Sequence, residues 1–230
     1  MNKFIYKLIA LATLAVSGIA NSGVVIESVR YLYKEGSREI SAQMENKDDG
    51  PFLMKSWVEA TEGESNSYFM VTPPLFRLEG NQKNTVRIFP NAYISKAPTN
   101  RDSVYFFNVM SIPPTNDSIE GENKLQLAVR HRMRLIYRPK AIQSLDVDNE
   151  VTKLEWHKAN NKLTIKNPTP FFIYFKSVMI NGKQLRETVP HIDPFETKVF
   201  TLPSGDDSRQ VIWAIATDHG GTGSTHTSSL

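Results

Sequence analysis

Four arginines, Arg130, Arg132, Arg134 and Arg138, sit at even positions of one stretch, Leu125–Pro139, which reads LQLAVRHRMRLIYRP. Guanidinium groups can bind carboxylates and phosphates through a planar two-pronged fork, so anion recognition is one chemistry this stretch offers. The odd positions begin Leu125, Leu127, Val129 and are apolar. Period-two alternation describes a strand with one apolar and one cationic face. A helix would scatter the same arginines round its cylinder and leave no apolar stripe. So many cations on one face need acidic side chains, solvent or an anionic ligand. The plain alternative is a core strand whose arginines point to water, where charged groups usually lie.

No other chemistry is written into the chain. The histidines, His131, His157, His191, His219 and His226, are far apart, and none forms a pair with metal-ligand spacing. There is no nucleophile-elbow serine, phosphate-binding loop or dinucleotide fingerprint. The acidic run Asp146–Glu150 lacks the glycine and terminal glutamate of a calcium loop and reads as a solvated linker. These residues indicate a protein that is not an enzyme and that uses no metal and no cofactor.

The elements that must position the arginines are strands. Residues 1–22 read as a secretory signal: Lys3 and Lys7 precede the short apolar run LIALATLAV, and small residues follow, with cleavage after Ser22 or after Ala20. Cleavage after Ser22 removes two lysines and no acids, so the formal charge of +3 becomes +1. A nearly neutral mature chain with local basic character argues against nucleic-acid binding, and the lack of a second long apolar run argues against membrane insertion. There is no cysteine, so a secreted fold must be stabilised by burial alone.

Seven strands are expected between Val24 and Pro139: Val24–Tyr33, Arg38–Glu45, Phe52–Glu59, Tyr68–Thr72, Asn84–Phe89, Ser103–Ile112 and the arginine-bearing stretch. Turn clusters such as Asn46–Pro51 separate them, the pattern of an immunoglobulin-like sandwich. After the polar run Gln143–Glu150 the strand pattern resumes through Thr152–His157, Lys162–Asn167, Phe171–Ile180, Glu196–Leu202 and Gln210–Asp218, with a strong turn signal at Asn181-Gly182. The expected division is a signal over 1–22, a first domain over 23–142, a second, smaller β domain over 143–221 and a disordered polar tail over 222–230.

Several separated blocks carry a family resemblance. APTNRDSVYFFNVMSIPP (residues 97–114) leads to LQLAVRHRMRLIYRP, followed by NPTPFF at Asn167–Phe172 and TDHGG at Thr217–Gly221, with Arg30 near the start of the mature chain. In this order they resemble the periplasmic chaperones of the chaperone–usher pathway, which assemble fimbriae in Gram-negative bacteria. Asp102 stands where that family usually carries Glu, and Arg134 where it usually carries Lys. The short connection Thr115–Asn123 and the lack of cysteine are similar to the branch with a short loop before the donor strand.

The resemblance implies an all-β protein of two immunoglobulin-like domains set in an L, with a cleft between them. It implies binding of fimbrial (pilin) subunits and delivery to an outer-membrane usher, with the free strand edge open to capping by a second copy. An incomplete pilin sandwich exposes an unpaired edge that invites aggregation, and the chaperone lends it a strand. Leu125, Leu127 and Val129 then match the groove-filling positions, each worth about 1.5–3 kcal/mol when fully buried. Arg30 and Arg134 match the anchor of the subunit's C-terminal carboxylate. Asp102, Arg138 and Asp218 match an interdomain charge cluster. Arg134 has the opposite parity to Leu125, Leu127 and Val129, so either the strand bends or the bound peptide wraps for both to serve one ligand. The competing reading is a secreted two-domain structural fimbrial subunit or adhesin.

Overall fold

The computed structural model describes residues 23–60, 68–114, 126–185, 191–202 and 208–230. The expected signal segment and Leu125 lie outside them. The first half contains β1 (Val24–Ile26), β2 (Arg30–Lys34), β3 (Ile40–Asn46), β4 (Phe52–Glu59), β5 (Phe69–Thr72), β6 (Leu75–Leu78), β7 (Lys83–Pro90), β8 (Ser103–Ile112) and β9 (Val129–Arg138). They form two sheets, in the order β1-β3-β7-β5 and β2-β9-β8-β4-β6. Ala42, Met44, Val86 and Ile88 of the first sheet meet Met54, Val58, Tyr105, Phe107, Met133, Leu135 and Tyr137 of the second in one buried core. These are every-second residues of their strands, which is why alternation alone decides the inner face.

The continuous strand expected over Val24–Tyr33 is two strands in different sheets. β1 runs antiparallel to β3, whereas β2 runs parallel to β9. Ser28 makes the switch: its hydroxyl donates to the Arg30 carbonyl at 2.6 Å and accepts from the Arg30 N–H at 3.3 Å. Such local bonds compete with a sheet ladder. The step places Arg30 at the first position of β2, opposite Arg134 of β9.

The second half contains β10 (Glu155–Ala159), β11 (Lys162–Lys166), β12 (Ile173–Ile180), β13 (Lys183–Gln184), β14 (His191–Ile192), β15 (Thr197–Thr201), β16 (Gln210–Ala216) and β17 (Thr222–Ser229). One sheet has the order β10-β11-β15; the other has β13-β12-β16-β17, with β14 also paired to β12. Trp156, Leu163, Ile165, Phe175 and Trp213 centre a second, separate core.

The disorder expected over residues 222–230 is corrected. They form β17, antiparallel to β16, and extend the second unit to Ser229. Threonine and serine suit an edge strand with one solvated side, and the segment covers Trp213. The indole donates to Ser228 Oγ at 3.1 Å and stacks on His226 at 4.4 Å between ring centroids. Deleting residues 222–230 is expected to lower the unfolding free energy of the second unit by at least about 2 kcal/mol, since several hydrogen bonds and an aromatic contact go together. Urea unfolding followed by tryptophan fluorescence checks this.

Candidate functional site

The site is built around β9. Its pairing with β8 runs from Ser103↔Tyr137 to Ser111↔Val129 without a register shift. No bulge therefore bends it, and its faces stay distinct. Met133, Leu135 and Tyr137 enter the core, while the arginines lie on the outer face. Beyond Met133 toward the N-terminus the inward row continues as His131, Val129 and Leu127, the last two 50% and 66% exposed. β2 begins to pair with β9 only at Arg134. Among the described residues, β9 over 129–133 is thus paired on the β8 side alone.

The arginines divide by partner. Arg130 and Arg132 share Glu59 of β4, with Arg130 Nη2 at 2.6 Å and Arg132 Nε at 3.1 Å from Glu59 Oε1. Arg30 and Arg134 face each other in register, and among the described residues neither has a carboxylate within ion-pair distance. Both guanidiniums instead lie over the ring of Tyr174 of β12, at 5.4 Å and 4.6 Å from its centroid. Arg30 also donates through Nη1 to the carbonyls of Ala216 and Thr217, at 3.4 Å and 3.2 Å. Burial, and then the charge of Arg134, pull the Arg30 pKa below the ordinary arginine value. Two adjacent cations with no ion-paired carboxylate among the described residues favour a carboxylate delivered between them, although the charge of Asp218 partly offsets that of Arg30.

Arg138 lies at the junction of the two halves. Its Nε and Nη2 donate to Asp102 Oδ1 and Oδ2, both at 3.0 Å. Its Nη1 and Nη2 donate to Asp218 Oδ2 and Oδ1 at 2.7 Å and 3.0 Å. The shorter Asp side chain at position 102 makes a full fork. Burial opposes the Arg138 charge, but the hydrogen bonds to Asp102 and Asp218 more than offset it and hold its pKa above the ordinary value. Burial pushes the Asp102 carboxyl up, against the hydrogen bonds and charge of Arg138.

Two turns hold these groups. In Asn167–Phe172, the buried Asn167 amide donates to the carbonyls of Phe171 and Asp193 at 2.8 Å and 2.9 Å, and its oxygen accepts from the Thr169 N–H at 3.0 Å. This fixes the Pro170 carbonyl to accept from the Asp102 N–H at 2.8 Å, and the Phe172 N–H to donate to Asp102 Oδ2 at 3.3 Å. Phe171 lies 4.6 Å below the Arg138 guanidinium. The second turn, Thr217–Gly221, closes through Thr217 N–H to Gly221 carbonyl at 3.0 Å. Gly220 has φ +87°, which disfavours a side chain, and the turn presents Asp218 to Arg138 and the Thr217 carbonyl to Arg30.

The structure brings Arg30 to Arg134, and Asp102 and Asp218 to Arg138. It leaves Leu127 and Val129 exposed. Glu59, Asn108, Phe172 and Tyr174 were not singled out by the sequence. A signal existed for Glu59: an acid two residues from Trp57 at the end of an expected strand calls for a cation if it is buried.

Residues 23–143 match the family model of the pili and flagellar-assembly chaperone PapD N-terminal domain, and residues 149–227 that of the pili assembly chaperone PapD C-terminal domain. The chaperone protein FocC of Escherichia coli is 32% identical over 200 residues, 86% of each chain. The probable fimbrial chaperone LpfB of Escherichia coli O157:H7 is 34% identical over 206 residues, 89% of this chain and 87% of that one. The solved structure of the Salmonella enterica SafA pilin with the SafB chaperone superposes with a TM-score of 0.82 at 29% identity, covering 93% of this chain and 99% of the other. The Escherichia coli chaperone DraB superposes with a TM-score of 0.79 at 32% identity, covering 91% and 97%.

Replacing Arg138 leaves Asp102, which is 3% exposed, without its cation. Arg138→Ala is expected to cost about 3–5 kcal/mol, the range for breaking a buried ion pair by removing one partner. Asp218→Ala is expected to cost less, because its side chain is 27% exposed. Equilibrium denaturation of the two variants checks the order.

Proposed function

The chain belongs to the pilus-assembly chaperone family, and from that premise we propose that it captures fimbrial subunits in the periplasm by lending them β9 and delivers them to an outer-membrane usher. The observation that carries the reading is the one-sided edge of β9 over residues 129–133, which ends where β2 begins at the Arg30–Arg134 pair. A strand added to that edge lies in the row that β2 occupies further along. Its direction follows from the anchor. For its C-terminal carboxylate to reach Arg30 and Arg134, the strand must run parallel to β9, as β2 does.

This geometry answers the parity difficulty without bending β9. Leu127 and Val129 belong to the inner row and would fill the open groove of the subunit, in series with Met133 and Leu135. The carboxylate comes at the end of the added strand, in the plane of the sheet, where guanidiniums on the outer face can meet it. Leu125, outside the described residues, shares the odd parity of Leu127 and Val129 and is proposed with them as a groove-filling residue. Asp102, Arg138 and Asp218 would hold the two domains at one angle, which we place on either side of Ile142–Gln143, with the second reaching Ser229.

The relatives are fimbrial chaperones, which disfavours the structural-subunit reading. No described helix is long and apolar enough to cross a membrane. Export with cleavage of residues 1–22 completes the proposal and agrees with the sequence of that segment.

The test is co-purification of pilins from periplasm with the wild type, Arg30→Ala, Arg134→Ala and Leu127→Glu. The wild type is expected to retain a pilin. Each arginine variant is expected to lose about tenfold or more in capture, as for a charge-assisted hydrogen-bonded anchor. Leu127→Glu is expected to lose capture by placing a charge in an apolar groove. Capture unchanged in both arginine variants would move the anchor elsewhere.

A further inference from the structure

The lending edge has a mechanical problem. Strands with one neighbour fray, and this one carries two cations that could fold back over its own open side. We propose that Glu59 is the positioning residue of the donor strand: it draws Arg130 and Arg132 across β8 and so holds residues 129–133 preformed with their free edge uncovered. The proposal rests on the strand-lending reading above and deepens it.

Glu59 lies at the end of β4, two strands away from β9 in the order β9-β8-β4. It is on the outer face with Lys55 and Trp57, opposite in parity to the core residues Met54 and Val58, yet it is only 6% exposed. Its carboxylate is held by the two arginines and by the Trp57 indole. Arg130 Nη2 and Arg132 Nε converge on Glu59 Oε1. To arrive there both side chains must lie over β8, away from the side of β9 that is unpaired at residues 129–133. The path is furnished. Arg130 Nε donates to Asn108 Oδ1 at 3.0 Å, and Asn108 is itself oriented by donating from Nδ2 to the Phe106 carbonyl at 3.0 Å. The Arg132 guanidinium lies 3.6 Å from the centroid of Phe106, and Arg130 lies 5.2 Å from that of Trp57. The Trp57 indole N–H donates to Glu59 Oε2 at 3.4 Å, which occupies the second carboxylate oxygen.

Both arginines thus have fixed positions and one shared counter-charge. Without it, two neighbouring guanidiniums repel each other and swing toward water, which includes the open edge. The clamp contributes order where a partner's main chain must dock, and ordering beforehand reduces what binding must spend on rigidity.

A purely structural role for Glu59 would loosen the whole first domain, whereas a clamp acts locally. Hydrogen exchange of the free full-length mature protein separates them. In Glu59→Gln, those amides of residues 129–133 that bond to β8 are expected to exchange about tenfold faster, the loss of one charge-assisted hydrogen bond, while those of Phe107 and Leu135 keep their wild-type rates. Arg130→Met, which removes one partner near the surface, is expected to give the same local pattern. Binding is read with a synthetic peptide of alternating valine and threonine ending in a free carboxylate. Its affinity is expected to fall about tenfold in Glu59→Gln, mostly through a slower on-rate, because the edge must first be cleared and ordered. Uniformly faster exchange, or unchanged exchange at 129–133, would overturn the clamp. So would wild-type affinity in Glu59→Gln. A wild type that binds no peptide, or binds it as well after Arg134→Ala, would instead overturn the strand-lending reading and with it the functional half of this proposal, while the exchange pattern still decides the clamp.

Discussion

The ion cluster of Arg138 with Asp102 and Asp218 is the interaction on which the rest of the molecule depends. Neither half can bury its share alone. Asp102 and Arg138 come from the first half and Asp218 from the second, and the Arg138 fork is complete only when the turns Asn167–Phe172 and Thr217–Gly221 are docked on it. The same docking brings Tyr174 under Arg30 and Arg134 and puts the carbonyls of Ala216 and Thr217 on Arg30. The geometry of the Arg30–Arg134 pair is thereby tied to the angle between the halves. A buried ionic cluster adds little net stability over an apolar contact, but it accepts only one arrangement of its partners.

β9 serves three regions in sequence. Its C-terminal end supplies Arg138 to the junction, its middle supplies Arg134 to the cationic pair, and its N-terminal end presents Val129 and, just before it, Leu127. One strand can do this because its register against β8 never shifts. Each residue keeps its face, so a mainly apolar inward row, interrupted by His131, and an outward row of Arg130, Arg132, Arg134 and Arg138, interrupted by Ile136, stay distinct. The outward row is neutralised where the strand needs support, at Glu59 and at the junction, and left without a carboxylate where an anion would be received.

Much of this was legible in the chain. Alternation in Leu125–Pro139 is a local property, fixed by side-chain direction along an extended backbone, so both rows could be assigned residue by residue. The glycine and asparagine turn signals marked most strand ends for the same reason. The blocks around Asp102, Arg138 and Asp218 named the three junction groups through resemblance. Where reading failed, a local signal was absent or misleading. Val24–Tyr33 looks like one strand because the Ser28 switch is made by side-chain bonds that hydropathy does not register. Residues 222–230 look like a polar tail because an edge strand with one wet side needs no apolar alternation, and only Trp213 on β16 gives it something to cover.

The sequence by itself determined the class of fold, the two faces of β9 and the identity of its cations, because these follow from residue type and period two. Only the tertiary structure decided which cation meets which partner. Glu59 reaches Arg130 and Arg132 across an intervening strand, and Tyr174 from the second half underlies Arg30 and Arg134. Partners separated by 36 to 187 positions are chosen by strand order and domain docking, which residue spacing along the chain does not encode.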